Sequence, residues 1–347
     1  MYKQCIFLGI ITLFITTILS ASDLRREINL RGRWKFEIGD NMKWAEPDFD
    51  DSDWKSVYVP DNWEDNGYPG YDGYAWYRKS IQFPTRLKND NLYLLLGQID
   101  DVDAVFLNGV KIGSAGQFPP EYRTAYNVHR EYFIPKNLIR FDKKNVISVR
   151  VYDDQLQGGI IQGNIGIYSV KRYLAPDIDL GGYWKFKTGD RDLWANEAYN
   201  DSHWDQIIVP GFWEGQGYID YDGFAWYRKR VVIPSEFRKE ELILMLGKID
   251  DVDQVFLNGV RIGGTGPIPQ NNYIGQYGQW YQQVRAYYIP DNVVKIGEEN
   301  LIAIRVYDAW LDGGIYDIPI GIFKKERYQK AEQRQENIWN LFDHIFN

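Results

Sequence analysis

LGQIDDVDAVFLNGVKIG, residues 96–113, returns as LGKIDDVDQVFLNGVRIG at 246–263, with 15 of 18 residues identical. Val105 and Leu107 alternate up to Asn108-Gly109, and Val110 and Ile112 resume the alternation after it. Asn-Gly between two such runs predicts a two-residue hairpin, because both turn positions need a positive φ that Asn and Gly tolerate. The stretch therefore predicts strands, and its return predicts a second copy of whatever those strands build.

The repeat extends in both directions. GRWKFEIGD at 32–40 matches GYWKFKTGD at 182–190, and DDSDW at 50–54 matches NDSHW at 200–204. VPDNWEDNGY at 59–68 matches VPGFWEGQGY at 209–218, and GYAWYRK at 73–79 matches GFAWYRK at 223–229. VRVYDDQLQGGI at 149–160 matches IRVYDAWLDGGI at 304–315, so the offset grows from 150 to 155 and the second copy gains five residues between 263 and 285. A period this long is domain-sized, well beyond the 20–50 residues of a solenoid unit. It places one domain over 24–172, a second over 178–324 and a joint at YLAPD, 173–177.

Within NVISVRVYD, Ile147, Val149 and Val151 fall on one face of a strand, with Ser148, Arg150 and Tyr152 on the other. NLIAIRVYD repeats this with Ile302, Ile304 and Val306 against Ala303, Arg305 and Tyr307. Short strands between Gly, Pro and Asp turns predict an all-β chain of two antiparallel sandwiches. The tail, 325–347, is the one helical stretch; Ile338, Trp339, Leu341, Phe342, Ile345 and Phe346 make an apolar stripe that either clamps back onto a domain or docks a protein partner.

The chain opens with an apolar run from Cys5 to Leu19, preceded by Lys3 and followed by Ser20, Ala21 and Ser22. That order predicts a secretory signal peptide over 1–21, and with it a secreted or periplasmic protein with no stable membrane span, rather than a retained anchor. Removing it takes away the single cysteine and with it any disulfide, thiolate nucleophile or cysteine-bound zinc. Three histidines argue against a histidine metal site. A net charge of −8 without basic blocks argues against nucleic acid or anionic lipid as partner.

The ordered set GRWKF, DDSDW, VPDNWE, AWYRK, LGQIDDVDAVFLNG, RVYD and GGI, present twice, resembles the jelly-roll sugar-binding domain at the N-terminus of glycoside hydrolase family 2 enzymes such as β-galactosidases and β-glucuronidases. It is also similar to the module attached to some sialate O-acetylesterases. The resemblance implies two jelly-roll, galactose-binding-like sandwiches. In those enzymes the catalytic glutamates lie in a separate barrel for which this sequence leaves no length, so the resemblance carries over no catalytic residue. It does carry over the aspartate that ends the late strand and holds sugar hydroxyls, here Asp153 and Asp308.

Carbohydrate binding is therefore the leading expectation, with oligo- or polysaccharide glycans as partner. In the loop of DNWEDNGYPGYDGYAW, Trp63 and Glu64 offer a ring and a carboxylate, as do Trp213 and Glu214 in the second copy. These suit the apolar faces and polar edges of a sugar, or the tryptophans anchor a core. The inserted segment adds Tyr273 and Trp280 among Asn, Gln and Gly. For Trp76, Arg78, Trp226 and Arg228 the leading expectation is structural, a cation–π or Arg–carboxylate brace.

Asp100, Asp101 and Asp103, with Asp250, Asp251 and Asp253, form oxygen-rich strand entrances. They either coordinate calcium, pair with Arg150 and Arg305, or cap turns. Two other function classes stay open. One is a structural or protein-interaction module of a cell-surface assembly. The other is a hydrolase pairing Glu64 with Asp153 or Glu214 with Asp308, although no GxSxG elbow or HExxH helix is present.

Overall fold

The computed structural model describes residues 24–170, 174–269 and 279–331. The expected signal peptide, Tyr273 and the apolar stripe of the tail lie outside the described residues.

The chain is all-β, as two tandem antiparallel sandwiches followed by a short helix at 325–331. In the first, a six-stranded sheet runs in the order Lys55–Val59, Gly32–Ile38, Gly73–Gln82, Lys144–Asp153, Val102–Leu107, Val110–Ala115. It faces a four-stranded sheet of Leu24–Asn29, Gly159–Val170, Leu92–Asp100 and His129–Ile134. The second sandwich repeats the six-stranded sheet with Asp205–Val209, Gly182–Thr188, Gly223–Val232, Glu299–Asp308, Val252–Leu257 and Val260–Thr265. Leu242–Asp250 is the central strand of its facing sheet.

The local reasons are those visible in the sequence. Asn108 and Gly109 take φ of 53° and 87°, the pair of positive values that lets two twisted strands meet through two residues. Ile147, Val149 and Val151 all point into the core between the sheets, while Ser148 and Arg150 face the other way. Trp34, Phe36, Tyr77 and Leu94 fill the first core; Trp184, Phe186, Tyr227 and Leu244 fill the second.

The phrase AWYRK is structural in both copies. Trp76 lies on the outer face of its sheet beneath a cap of Trp44, Phe49 and Trp54, while Tyr77 turns into the core. Arg78 is buried beside them. Its Nε donates to Asp51 at 2.8 Å, and its other nitrogens donate to the carbonyls of Trp44, Glu46 and Phe49. One guanidinium thus staples the 42–54 segment over the sheet, and Arg228 does the same with Asp201, Trp194, Asn196 and Tyr199. Among the described residues nine tryptophans are buried, so the aromatic richness is first of all packing.

The two sandwiches touch. Ser114 donates to the Gly215 carbonyl at 2.7 Å, Arg123 pairs with Asp220, Lys136 pairs with Asp179 at 2.5 Å, and Ile208 packs on the first core. Among the described residues no helix is long and apolar enough to cross a membrane.

Glu27 ties the first strand to its neighbours. Its nearly buried carboxylate accepts from Ser169 Oγ at 2.6 Å, Arg86 at 2.5 Å and Arg25 at 2.6 Å. Burial opposes its ionisation, but those three bonds and the Arg25 charge together outweigh it and hold the pKa below its ordinary 4.5. A depressed carboxyl stabilises the fold fully above the unfolded pKa and loses that contribution as pH falls through the folded value. Glu27→Gln should therefore lower stability by about 1–3 kcal/mol at neutral pH, with the deficit shrinking under acid. Urea melts at several pH values check this; a pH-independent deficit would count against the ionic explanation.

Candidate functional site

Each sandwich gathers carboxylates at one end. Asp100 closes a strand of the four-stranded sheet, Asp101 crosses, and Val102 opens a strand of the six-stranded sheet. Asp153 closes the neighbouring strand Lys144–Asp153. Asp100, Asp101 and Asp153 each present an oxygen within 4.8 Å of the others, and Asp250, Asp251 and Asp308 repeat the arrangement.

Asp101 is anchored: one oxygen accepts from Thr124 Oγ1 at 2.5 Å, the other from the Asp154 N–H at 3.1 Å. Asp251 likewise accepts from the Ala309 N–H at 3.1 Å. Asp153 is fully buried and neither of its oxygens has a hydrogen-bond partner. Asp308, equally buried, accepts from the Trp310 N–H at 3.3 Å through Oδ1 and leaves Oδ2 without a partner.

Such burial is electrostatically adverse. Burial, then the charges of Asp101 and Asp100, push the Asp153 carboxyl up to about 8. Burial and Asp251 push Asp308 up to about 7. Burial, then the shared interaction with Asp101 or Asp251, raises Asp100 to about 7 and Asp250 to about 8. Glu64 and Glu214 stand close by, accepting from the Gly158 N–H at 3.3 Å and the Gly313 N–H at 3.0 Å. Burial lifts Glu214 to about 8 as well.

Three expectations are corrected. Asp103 and Asp253 are not members of the clusters. Both Asp103 oxygens are taken, by Arg130 Nε at 2.6 Å and Tyr132 Oη at 2.5 Å, and Asp253 is held the same way by Arg285 and Tyr287. Nor are the bracing arginines Arg150 and Arg305, which reach out to Asp40 and Asp190 instead. Trp63 and Trp213 offer no ring to a ligand: both are fully buried, with the indole N–H on the carbonyl of Tyr71 or Tyr221. Gly158 and Gly313 lie against these rings so closely that a Cβ there would fall 2.1 and 2.0 Å from the indole.

The second sandwich carries an aromatic edge that the sequence reading passed over. Trp310, 61% exposed, sits on the loop that follows Asp308. Phe212 and Tyr316 stack nearly parallel, with ring centroids 4.8 Å apart and planes at 13°. The Tyr316 hydroxyl donates to the Tyr281 carbonyl at 2.6 Å, and the Tyr281 ring is partly exposed. The 309–313 loop is tied to the Phe212 segment through the Trp213 N–H on the Gly313 carbonyl at 2.9 Å. Trp280 is half-buried and its carbonyl accepts from Arg285. The missed signal was divergence: DDQLQGG at 153–159 has Gln155 where DAWLDGG at 308–314 has Trp310, and Asn62 stands where the second copy has Phe212.

Residues 39–157 match the family model described as the β-galactosidase second all-β domain. The resemblance to glycoside hydrolase family 2 sandwich domains holds. A β-galactosidase of Bacteroides ovatus is 25% identical over 186 residues, 47% of this chain and 20% of that enzyme. A putative β-glucuronidase of Formosa agariphila is 27% identical over 142 residues, 37% of this chain and 14% of that protein. The crystal structure of a Bacteroides uniformis β-glucuronidase aligns with 82% of this chain and 28% of its own, at 16% identity and a TM-score of 0.36. The chain thus spans a fifth or less of the length of these two curated relatives. The described residues contain no (β/α) barrel.

Proposed function

We propose that this chain binds carbohydrate through the aromatic edge of its second sandwich. The observation that carries the reading is Trp310, 61% exposed on the 309–313 loop, whose backbone N–H meets Asp308 and whose far end is tied to the segment carrying the stacked pair Phe212–Tyr316. Flat apolar rings beside carboxylates complement the apolar face and hydroxyl edge of a sugar. The names of the relatives, β-galactosidase and β-glucuronidase, support a glycan partner. Asp153 and Asp308 are sealed from solvent, so a hydroxyl reaches either only if the following loop opens. With no aromatic ring at Asn62 or Gln155, the first sandwich serves as support to the second.

Calorimetry of the purified chain with galactosides, glucuronides and their oligomers tests this. Trp310→Ala should weaken binding by about tenfold, roughly 1.4 kcal/mol, while leaving the melting temperature in place, since the ring is exposed. Binding unchanged in this variant, or absent across neutral and acidic glycans, would overturn the reading and leave the edge to a protein partner.

A further inference from the structure

We propose that each sandwich holds one hard divalent cation, of which calcium fits best, between Asp100, Asp101 and Asp153 in the first and between Asp250, Asp251 and Asp308 in the second. This proposal is independent of whether the aromatic edge binds sugar.

Clustered carboxylates alone would not carry it, because exposed acidic groups cost little. The decisive observation is Asp153, a fully buried side chain with both oxygens unpartnered and a cluster of two further carboxylates beside it. Asp308 Oδ2 is orphaned in the same way in the second copy. A buried carboxylate left without hydrogen bonds or counter-charge is strongly unfavourable, and buried polar groups are normally satisfied. Among the described residues no lysine or arginine forms an ion pair with any of the six aspartates. Arg285, facing the second cluster, directs its Nε to Asp253 and its remaining nitrogens to the carbonyls of Trp280, Gln283, Ile249 and Asp251. It braces the loop that carries the cluster; its charge eases the ionisation of Asp250, but it donates to none of the three carboxylates.

The geometry matches a cation in that gap. Calcium–oxygen distances of about 2.3–2.6 Å let two ligand oxygens of one ion stand up to roughly 5 Å apart. The three oxygens of each cluster lie within 4.8 Å of one another. The donors are all oxygen, with no histidine or cysteine, which selects calcium or magnesium over zinc or copper. The free pair of oxygens on Asp153 suits bidentate binding to a large ion, which favours calcium, and three carboxylates predict moderate affinity. Bound there, the ion would join the last residue of a strand in each sheet. It would also fix the loop after the late strand, since Asp101 and Asp251 already hold the N–H of Asp154 and Ala309.

The test uses the whole chain, stripped with EDTA and titrated with calcium and, separately, with magnesium. Calorimetry should show two calcium equivalents per chain with a dissociation constant of about 10⁻⁴ M, between sensor and extracellular sites, and a rise in melting temperature. Asp153→Asn and Asp308→Asn, which keep the shape and remove a charge, should each abolish one equivalent. Terbium luminescence sensitised by nearby Tyr and Trp, and quenched by calcium, gives a readout on the unaltered chain should either variant fail to fold. No calcium heat, no melting shift and no sensitised terbium signal on the folded protein would overturn the proposal, as would two equivalents retained in the double variant.

Discussion

Arg130→Met should cost the first sandwich about 3–5 kcal/mol, the loss expected when one partner of a buried ion pair is removed and the other stays charged. Arg130 and Asp103 are both fully buried, at 2.6 Å, and Tyr132 closes the triad on the second Asp103 oxygen. The same guanidinium donates to the carbonyls of Ala125 at 2.6 Å, Val128 at 2.5 Å and Asp101 at 2.9 Å. The substitution therefore strands a carboxylate and three carbonyls in one step. Arg130→Lys should recover only part of the loss, because an ammonium cannot reproduce the planar fork. Removing Asp103 as well, as Asp103→Leu with Arg130→Met, should restore stability relative to the single variant, since the uncompensated charge goes with it. Urea unfolding followed by intrinsic fluorescence and circular dichroism measures all three. A single variant within about 1 kcal/mol of the parent would show that the pair does not brace the sandwich.

Trp213→Ala should cost about 3–5 kcal/mol, the usual penalty for a large aromatic removed from a packed core. The ring is fully buried against Phe186 and Tyr221, with centroids 5.8 and 5.9 Å away, and its N–H meets the Tyr221 carbonyl. Gly313→Ala should destabilise the same spot from the other side, because the new methyl meets the indole at 2.0 Å and the ring has no room to yield. The pair Trp213→Ala and Trp310→Ala separates packing from recognition: the first should lower the unfolding midpoint, the second the glycan affinity alone. Reversal of that pattern would return Trp213 to the binding surface.

The strands were legible because their information is local. Val105, Leu107, Val110 and Ile112 alternate around a turn whose backbone only residues such as Asn and Gly accept, and Ile147, Val149 and Val151 obey the two-residue period of a pleated strand. That Trp76 and Arg78 share the outer face of their sheet was legible for the same reason, since they stand two residues apart on one strand. Partners across the sandwich were not. Asp103, level with the core-facing Val151, finds Arg130, 27 residues on and in the opposite sheet, while Arg150, level with Ala104 and on the outer face, turns to Asp40. Once the register is set, alternation puts Arg150 on the outer face and excludes it; which residue of the facing sheet meets Asp103 is decided by how the two sheets stack, for which the one-dimensional pattern holds no signal.

By itself the sequence determined the fold class, the duplication, the hairpin and the two sets of core-facing strand residues, because alternation and turn chemistry act over a few neighbouring residues. Only the tertiary structure decided which polar groups are buried and which rings are exposed. It sealed Trp63 and Trp213 into the cores, brought Asp153 to Asp100 and Asp101, and left Trp310 in solvent. The physical reason is that burial and unpaired charge belong to the packing of two sheets, which brings Asp153 to Asp100 and Asp101 and Asp308 to Asp250 and Asp251 across a separation that strand alternation does not encode.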